Sequence, residues 1–312
     1  MRTLVGALAL VLACAALAEE PRRFRSDTSI ACDACDEWNA PQPPFRVFGN
    51  TYFVGTAGLG AVLVTSPKGH VLLDGGLPQS AERIDASIRA LGFRTEDVRL
   101  IVNSHAHYDH AGGIAALQRA SGAQVAASAS GARALESGGP TPDDPQYAAA
   151  NASADAGRYP RVKGVRVVAD GEIVRLGELA ITAHLTPGHT PGATTWSWRS
   201  CEGERCLSLV YADSLNAVSL PGFRFTGDAT RPSLVPSFER SIDVVAALPC
   251  DILLAVHPGF SRMHDALKAR GASPDAPPVI DKGACPAYAA GARQRLTTRV
   301  AEESGVAPPP AR

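Results

Sequence analysis

Three histidines and an aspartate fall within six residues, His105-Ala106-His107-Tyr108-Asp109-His110. Two residues before them ends the apolar run Val98-Arg99-Leu100-Ile101-Val102, and Gly112-Gly113 followed by Ile114 to Ala120 comes after. A short run rich in Val, Ile and Leu reads as a buried strand, and the segment beyond the glycines carries helical periodicity. The histidine cluster therefore sits where a strand hands over to a helix, the usual place for functional side chains on an α/β scaffold. Imidazoles with one carboxylate suit zinc better than calcium or magnesium. Residues two apart in an extended segment share a face. His105 and His107 can thus reach one metal ion together, while Asp109 and His110, at the turn into the helix, are placed for a second.

Two further histidines complete such a pair of sites. His189 lies in Thr186-Pro187-Gly188-His189-Thr190-Pro191-Gly192, a tight loop between two predicted strands, and His257 follows an apolar strand in Val256-His257-Pro258-Gly259. The predicted arrangement is one zinc ion on His105, His107 and His189, and a second on Asp109, His110 and His257. His70, His184 and His264 have no such context and read as structural or surface residues. Asp74, ahead of Gly75-Gly76, is either an anchor for the metal-binding loop or a turn residue.

With 312 residues, 45% of them hydrophobic, the chain can bury the core of one large or two small domains. Strands are predicted at 45–48, 51–54, 61–66 and 70–74, a helix at 79–91, then alternating strand and helix to residue 136. Strands resume at 165–168, 172–176, 179–184, 194–199 and 207–211, followed by a helix at 238–247, a strand at 252–256 and a C-terminal helix near 286–303. Each half runs strands first, then strand and helix in alternation. That order predicts a four-layer α/β/β/α sandwich, a single domain over 19–303, with residues 19–44 an irregular arm. Residues 136–160, rich in Gly, Pro, Ala and Asp, read equally as a functional lid or a solvated insertion. The Pro-rich tail, 304–312, reads as disordered.

A net charge of -1 and the lack of any basic run argue against nucleic acid or an anionic membrane surface as partner. Met1-Arg2, the apolar stretch Leu4 to Leu12 and Ala16-Leu17-Ala18 form a signal peptide, 1–18, directing export to the periplasm. Val11-Leu12-Ala13-Cys14 offers a second route, with Cys14 lipidated. Either route leaves Cys32, Cys35, Cys201, Cys206, Cys250 and Cys285, an even set that reads as disulfides in an exported protein. The simplest pairing is Cys32–Cys35, Cys201–Cys206 and Cys250–Cys285, although spacing leaves the connectivity open.

The His-x-His-x-Asp-His cluster, the Pro-Gly-His-Thr-Pro-Gly loop and the late His-Pro-Gly resemble the metallo-β-lactamase superfamily, with similarity from about Trp38 to about Glu303. Tyr211-Ala212-Asp213-Ser214-Leu215, Leu248-Pro249-Cys250-Asp251-Ile252-Leu253 and Gly283-Ala284-Cys285 are similar to class B β-lactamases of subclass 3. In that group a serine, matched here by Ser214, lies near the second metal where other subclasses place a cysteine ligand. The resemblance implies the metallo-β-lactamase fold and two zinc ions per chain. It implies zinc-activated hydrolysis of the β-lactam amide of penicillins, cephalosporins and carbapenems, hence antibiotic resistance. Asp109 would orient the attacking water as the catalytic residue, and Ser214 and Asn216 would bind the substrate carboxylate. Asn216 departs from the usual Ser or Thr. Trp38 and the 136–160 loop would line the pocket. A monomer without protein partners is expected. Glyoxalase II and lactonases share the cluster but use an aspartate that bridges both metals, and Asp213 is the residue that would align with it. Nucleases of the fold need basic surfaces, and flavodiiron proteins replace the second histidine with Glu. An exported lactone or thioester hydrolase and a non-catalytic periplasmic zinc-binding protein are the alternative functions.

Overall fold

The computed structural model describes residues 24–147, 157–271 and 277–305. The predicted signal segment, and the predicted tail beyond residue 305, lie outside them. A helical turn, α1 (Cys35–Trp38), precedes an antiparallel meander of β1 (Phe45–Phe48), β2 (Thr51–Phe53), β3 (Val62–Val64) and β4 (His70–Leu73). The sheet then continues in parallel through β5 (Val98–Val102), β6 (Gln124–Ala127) and β7 (Arg166–Val167), to seven strands in sequential order. Parallel neighbours need crossovers. These carry α2 (Ser80–Ala90), α3 (Tyr108–Ala111) with α4 (Ile114–Ser121), and α5 (Ala129–Ser137). The start of α5 is capped by Ser128, whose side chain accepts from Gly131 N–H.

The second sheet is built from β8 (Ile173–Leu176), β9 (Leu179–Leu185), β10 (Thr194–Glu202), β11 (Arg205–Ala212) and β12 (Ile252–Ala255), in the order β12-β11-β10-β9-β8. Only β11 and β12 are parallel, joined through α6 (Val235–Ala247). Then come α7 (Met263–Gly271) and α8 (Ala284–Glu303).

Strand alternation sorts the core into layers. Val71 and Leu73 of β4, Leu100 and Val102 of β5, and Ala126 of β6 face the second sheet, joining Ile181, Trp196, Leu209 and Tyr211. The intervening Leu72, Ile101 and Val125 face the opposite way, onto Ile84, Ile88 and Leu117 of the helices. Those three pair side by side and are fully buried, each burial being worth roughly 1.5–3 kcal/mol. Beyond the second sheet, Phe238 and Ile242 of α6 and Tyr288 and Leu296 of α8 close the core. The result is an α/β/β/α sandwich, as the strand and helix order predicted.

The differences lie where apolar periodicity is weak. Two strands run longer than predicted, because the polar stretch Ser200-Cys201-Glu202 and Arg205-Cys206 extends the β10–β11 hairpin, with Cys201 opposite Cys206. The arm before residue 45 is not wholly irregular, since α1 forms within it, and α7 was not foreseen because its apolar residues follow no clear face. Disulfides join Cys32 to Cys35, Cys201 to Cys206 and Cys250 to Cys285. Among the described residues no helix is long and apolar enough to cross a membrane.

Candidate metal centre

The C-terminal ends of β4, β5, β11 and β12, with the β9–β10 loop, meet on one edge of the sandwich. Asp74, the histidine cluster, Ser214 and Asn216, His257 and His189 respectively come from them. His105, His107 and His189 offer ligand atoms that lie within 4.8 Å of one another, all three residues buried. The other nitrogen of each ring is held by an acceptor. His105 Nδ1 lies 2.7 Å from Asp213 Oδ1, His189 Nδ1 lies 2.8 Å from the Asn216 carbonyl oxygen, and His107 Nε2 lies 3.1 and 3.2 Å from the two Asp144 oxygens. Such partners fix ring orientation and tautomer. They leave His105 Nε2, His107 Nδ1 and His189 Nε2 as the lone-pair nitrogens. His105 Nε2 is buried without any partner in the protein. Buried polar atoms are rarely left so, and a metal ion is the partner this donor set fits.

The second set is tighter. Asp109 Oδ2 lies 3.1 Å from His110 Nε2 and 3.3 Å from His257 Nε2, and the two Nε2 atoms are 3.2 Å apart. Ligands about 2.0–2.2 Å from a tetrahedral zinc ion are separated by about 3.3 Å, so these three atoms already stand at ligand spacing. The Gly58 carbonyl, 3.3 Å from His257 Nδ1, steadies that ring, and the Trp38 ring packs against it at 5.3 Å. His105, Asp109 and His110 also form a group within 4.8 Å, so the two sets adjoin.

Electrostatics favour the deprotonated form at His105, His189 and Asp109. Burial pushes His105 well below its ordinary pKa, helped by repulsion from the neighbouring histidines, and lowers His189 to about 3. Burial opposes ionisation of Asp109, but the charge of His110 and hydrogen bonds from His110 and His257 outweigh it and hold the carboxyl well below its usual range. The reverse balance raises His110, where burial is overcome by Asp109 and Asp74. Burial and repulsion from Asp74 push Asp213 well up, against the lowering bonds from Ser214 and Ser104.

Asp74 anchors the loop that carries the candidate ligands. It is the one non-glycine residue with positive φ, at 62°, among the described residues, and it is fully buried. Its Oδ1 accepts from Asn103 Nδ2 at 2.9 Å and Ser104 N–H at 2.7 Å. Its Oδ2 accepts from the hydroxyls of Ser104 at 2.6 Å and Tyr211 at 2.9 Å.

Both predicted ligand sets are brought together, and both open on a cavity of about 490 Å³ that is also lined by Trp38, Tyr108, Gln146, Ser214, Asn216 and Phe260. His264 packs edge-on against Phe45 and Phe53, His184 bonds Ser197 and His70 meets Phe93, all away from this cavity. The described part of the 136–160 loop is no solvated insertion. Asp144 is buried on His107, and Tyr159 donates to the Ala106 carbonyl at 2.8 Å. Sequence reasoning missed Asp144 altogether and saw Asp213 only as a possible ligand. Asp144 is one of two adjacent acids between prolines, and Asp213 follows an apolar strand, so neither sequence context names the histidine it meets.

A model of the metallo-beta-lactamase superfamily matches residues 60–201. Among solved structures, Rm3 metallo-beta-lactamase is 51% identical with a TM-score of 0.82, over 88% of this chain and 100% of that one. MEM-A1, a subclass B3 metallo-beta-lactamase from a soil metagenome library, is 48% identical with a TM-score of 0.81, over 86% and 99%. A curated relative, the hydroxyacylglutathione hydrolase of Anaeromyxobacter dehalogenans (strain 2CP-C), is 36% identical over 189 residues, 60% of this chain and 55% of that protein's length.

Proposed function

The chain belongs to the metallo-β-lactamase superfamily as a relative of its subclass B3 enzymes, and on that premise we propose that it hydrolyses the amide bond of β-lactam antibiotics with two zinc ions per chain. The observation that carries this reading is the pair of adjoining donor sets opening on one cavity with Ser214 and Asn216 at its wall. His105, His107 and His189 would hold one ion, and Asp109, His110 and His257 the other. Bound there, zinc lowers the pKa of a water molecule to about 7 and polarises a carbonyl oxygen.

The protein's own groups do the rest. Asp109, held ionised, orients the attacking water through its second oxygen. The Ser214 hydroxyl and the Asn216 amide take the substrate carboxylate. The main chain of Asn216 accepts from His189 while its side chain lines the cavity, so Asn in place of Ser or Thr leaves the ligand contact untouched. Trp38 and Tyr108 supply apolar walls that exclude water around the bound ring.

The relation to a hydroxyacylglutathione hydrolase favours a second reading, a thioester hydrolase of the same fold. That chemistry would use Asp213 between the two metals. Its bond to the Nδ1 of His105, the nitrogen turned from the ligand position, supports the β-lactam reading instead. Purified mature protein should turn over a carbapenem rapidly, lose that activity to EDTA and regain it with zinc. Zinc-loaded protein that ignores carbapenems, penicillins and cephalosporins but cleaves a 2-hydroxyacyl thioester of glutathione would reverse the order of the two readings.

The signal-like segment 1–18 and three disulfides support export to the periplasm of residues 19–303 as one domain. The intact mass of the exported protein tests this. Cleavage after Ala18 is expected, and a lipid-modified Cys14 would mark the anchored form.

A further inference from the structure

We propose that Asp144 is a positioning residue that couples metal occupancy of the three-histidine site to the shape of the substrate pocket. The inference rests on the metal reading above but not on the identity of the substrate. Asp144 is 6% exposed and sits 37 residues beyond His107. Both of its oxygens lie on His107 Nε2, at 3.1 and 3.2 Å, and Oδ1 also accepts from the backbone N–H of Gln146 at 2.8 Å. Gln146 in turn lines the cavity, with its side-chain nitrogen 3.5 Å from His107 Nδ1, the nitrogen left for the metal.

One carboxylate therefore holds a metal ligand by one bond and the pocket wall by another. The short loop around it is closed by Asp144 N–H to the Thr141 carbonyl at 2.8 Å and Tyr147 N–H to the Asp144 carbonyl at 3.0 Å. Its far side is tied to the chain that follows Asn216, since Leu220 N–H donates to the Pro145 carbonyl at 3.0 Å. A bond from Nε2–H to Asp144 keeps the proton on Nε2 and the lone pair on Nδ1, which is the tautomer that ligation at Nδ1 needs. A metal ion on Nδ1 makes Nε2–H a better donor, so it strengthens the bond that orders the loop. Coupling of this kind is reciprocal. Whatever orders the loop tightens metal binding by the same factor.

Two measurements on the full mature protein test this, neither of which reads activity. In competition titrations with a chromophoric zinc chelator, Asp144→Ala is expected to weaken one of the two zinc steps by about 10–100-fold, the usual effect of losing a ligand's outer partner, and to leave the other near its native affinity. Asp144→Asn, whose amide oxygen still accepts from Nε2–H, should lose less. In hydrogen-exchange measurements on the unaltered protein, zinc should slow exchange across 141–147, and it should fail to do so in Asp144→Ala. Two zinc ions bound with native affinity by Asp144→Ala, or both steps weakened alike, would overturn the proposal. So would exchange at 141–147 that ignores zinc in the unaltered protein, a result that needs no variant to fold. An unaltered protein that takes up no zinc would overturn the metal reading itself, which separates that failure from this one.

Discussion

Replacing Asp74 tests whether it acts as a charge or as an acceptor. Four donors converge on its carboxylate in a fully buried site. Burial raises its pKa, only partly offset by the charge of His110 and the bonds from Ser104 and Tyr211. Burial thus works against the charge while the four donors support it, and the question is whether the acceptor geometry alone carries the value of the residue. An asparagine can reproduce that geometry. Its amide oxygen in the place of Oδ1 accepts from Asn103 Nδ2 and Ser104 N–H. Its amide nitrogen in the place of Oδ2 donates to the two hydroxyl oxygens, while Tyr211 turns its one proton to the Gly60 carbonyl at 2.9 Å. Asparagine also tolerates the φ of 62°. Asp74→Asn should therefore cost no more than about 1 kcal/mol, the worth of one hydrogen bond. Alanine leaves the Asn103 amide and Ser104 N–H buried without acceptors at about 1–3 kcal/mol each, and adds roughly 1 kcal/mol for the left-handed backbone. Asp74→Ala should then lose about 3–7 kcal/mol. Urea denaturation of metal-free protein measures both without the added linkage of bound zinc. Equal losses in the two variants would refute the acceptor argument and point to the charge facing His110 instead.

Three other perturbations have signs that follow from the structure. The Cys250–Cys285 bridge closes a 35-residue span onto the start of α8, so replacing both with alanine should cost about 4 kcal/mol by loop entropy; a melting temperature unchanged by the double variant, and by reductant, would show the bridge to be idle. Asn216→Ala removes a side chain at the cavity wall but keeps the main-chain acceptor of His189, so KM for carboxylate-bearing substrates should rise about tenfold, the value of one hydrogen bond to a charged group, with zinc content unchanged. Loss of zinc in that variant would contradict the division of labour. His264, packed on Phe45 and Phe53, has its pKa lowered by burial. Its folded pKa lies below the unfolded value of about 6.5, so the unfolded chain takes up protons first and stability is lost as pH falls below that value. His264→Phe removes this loss, and its stability relative to the unaltered protein should increase between pH 7 and pH 5. A difference that is flat with pH would refute the assignment.

What could be read in advance divides along the range of the interactions concerned. Strand runs such as Val98 to Val102 announce themselves because a central parallel strand is buried over most of its length, so apolar residues fill every position but that of the exposed Arg99. The ends of β10 and β11 gave no such signal, being polar and held by strand pairing and by the Cys201–Cys206 bridge. The edge that carries the candidate metal ligands shows the same division. His105, His107, Asp109 and His110 were legible as candidate ligands because the side chains of one strand end are neighbours in the chain, and His189 and His257 because glycine and proline mark their loops. The acceptors that orient these rings carry no comparable mark. Asp144, Asn216 and Asp213 stand 37, 27 and 108 residues from the histidines they hold, and each is an ordinary polar residue until the two sheets close. A histidine in the sequence thus states which element can be bound, whereas the nitrogen that binds it is chosen by an acceptor that only the packed fold delivers.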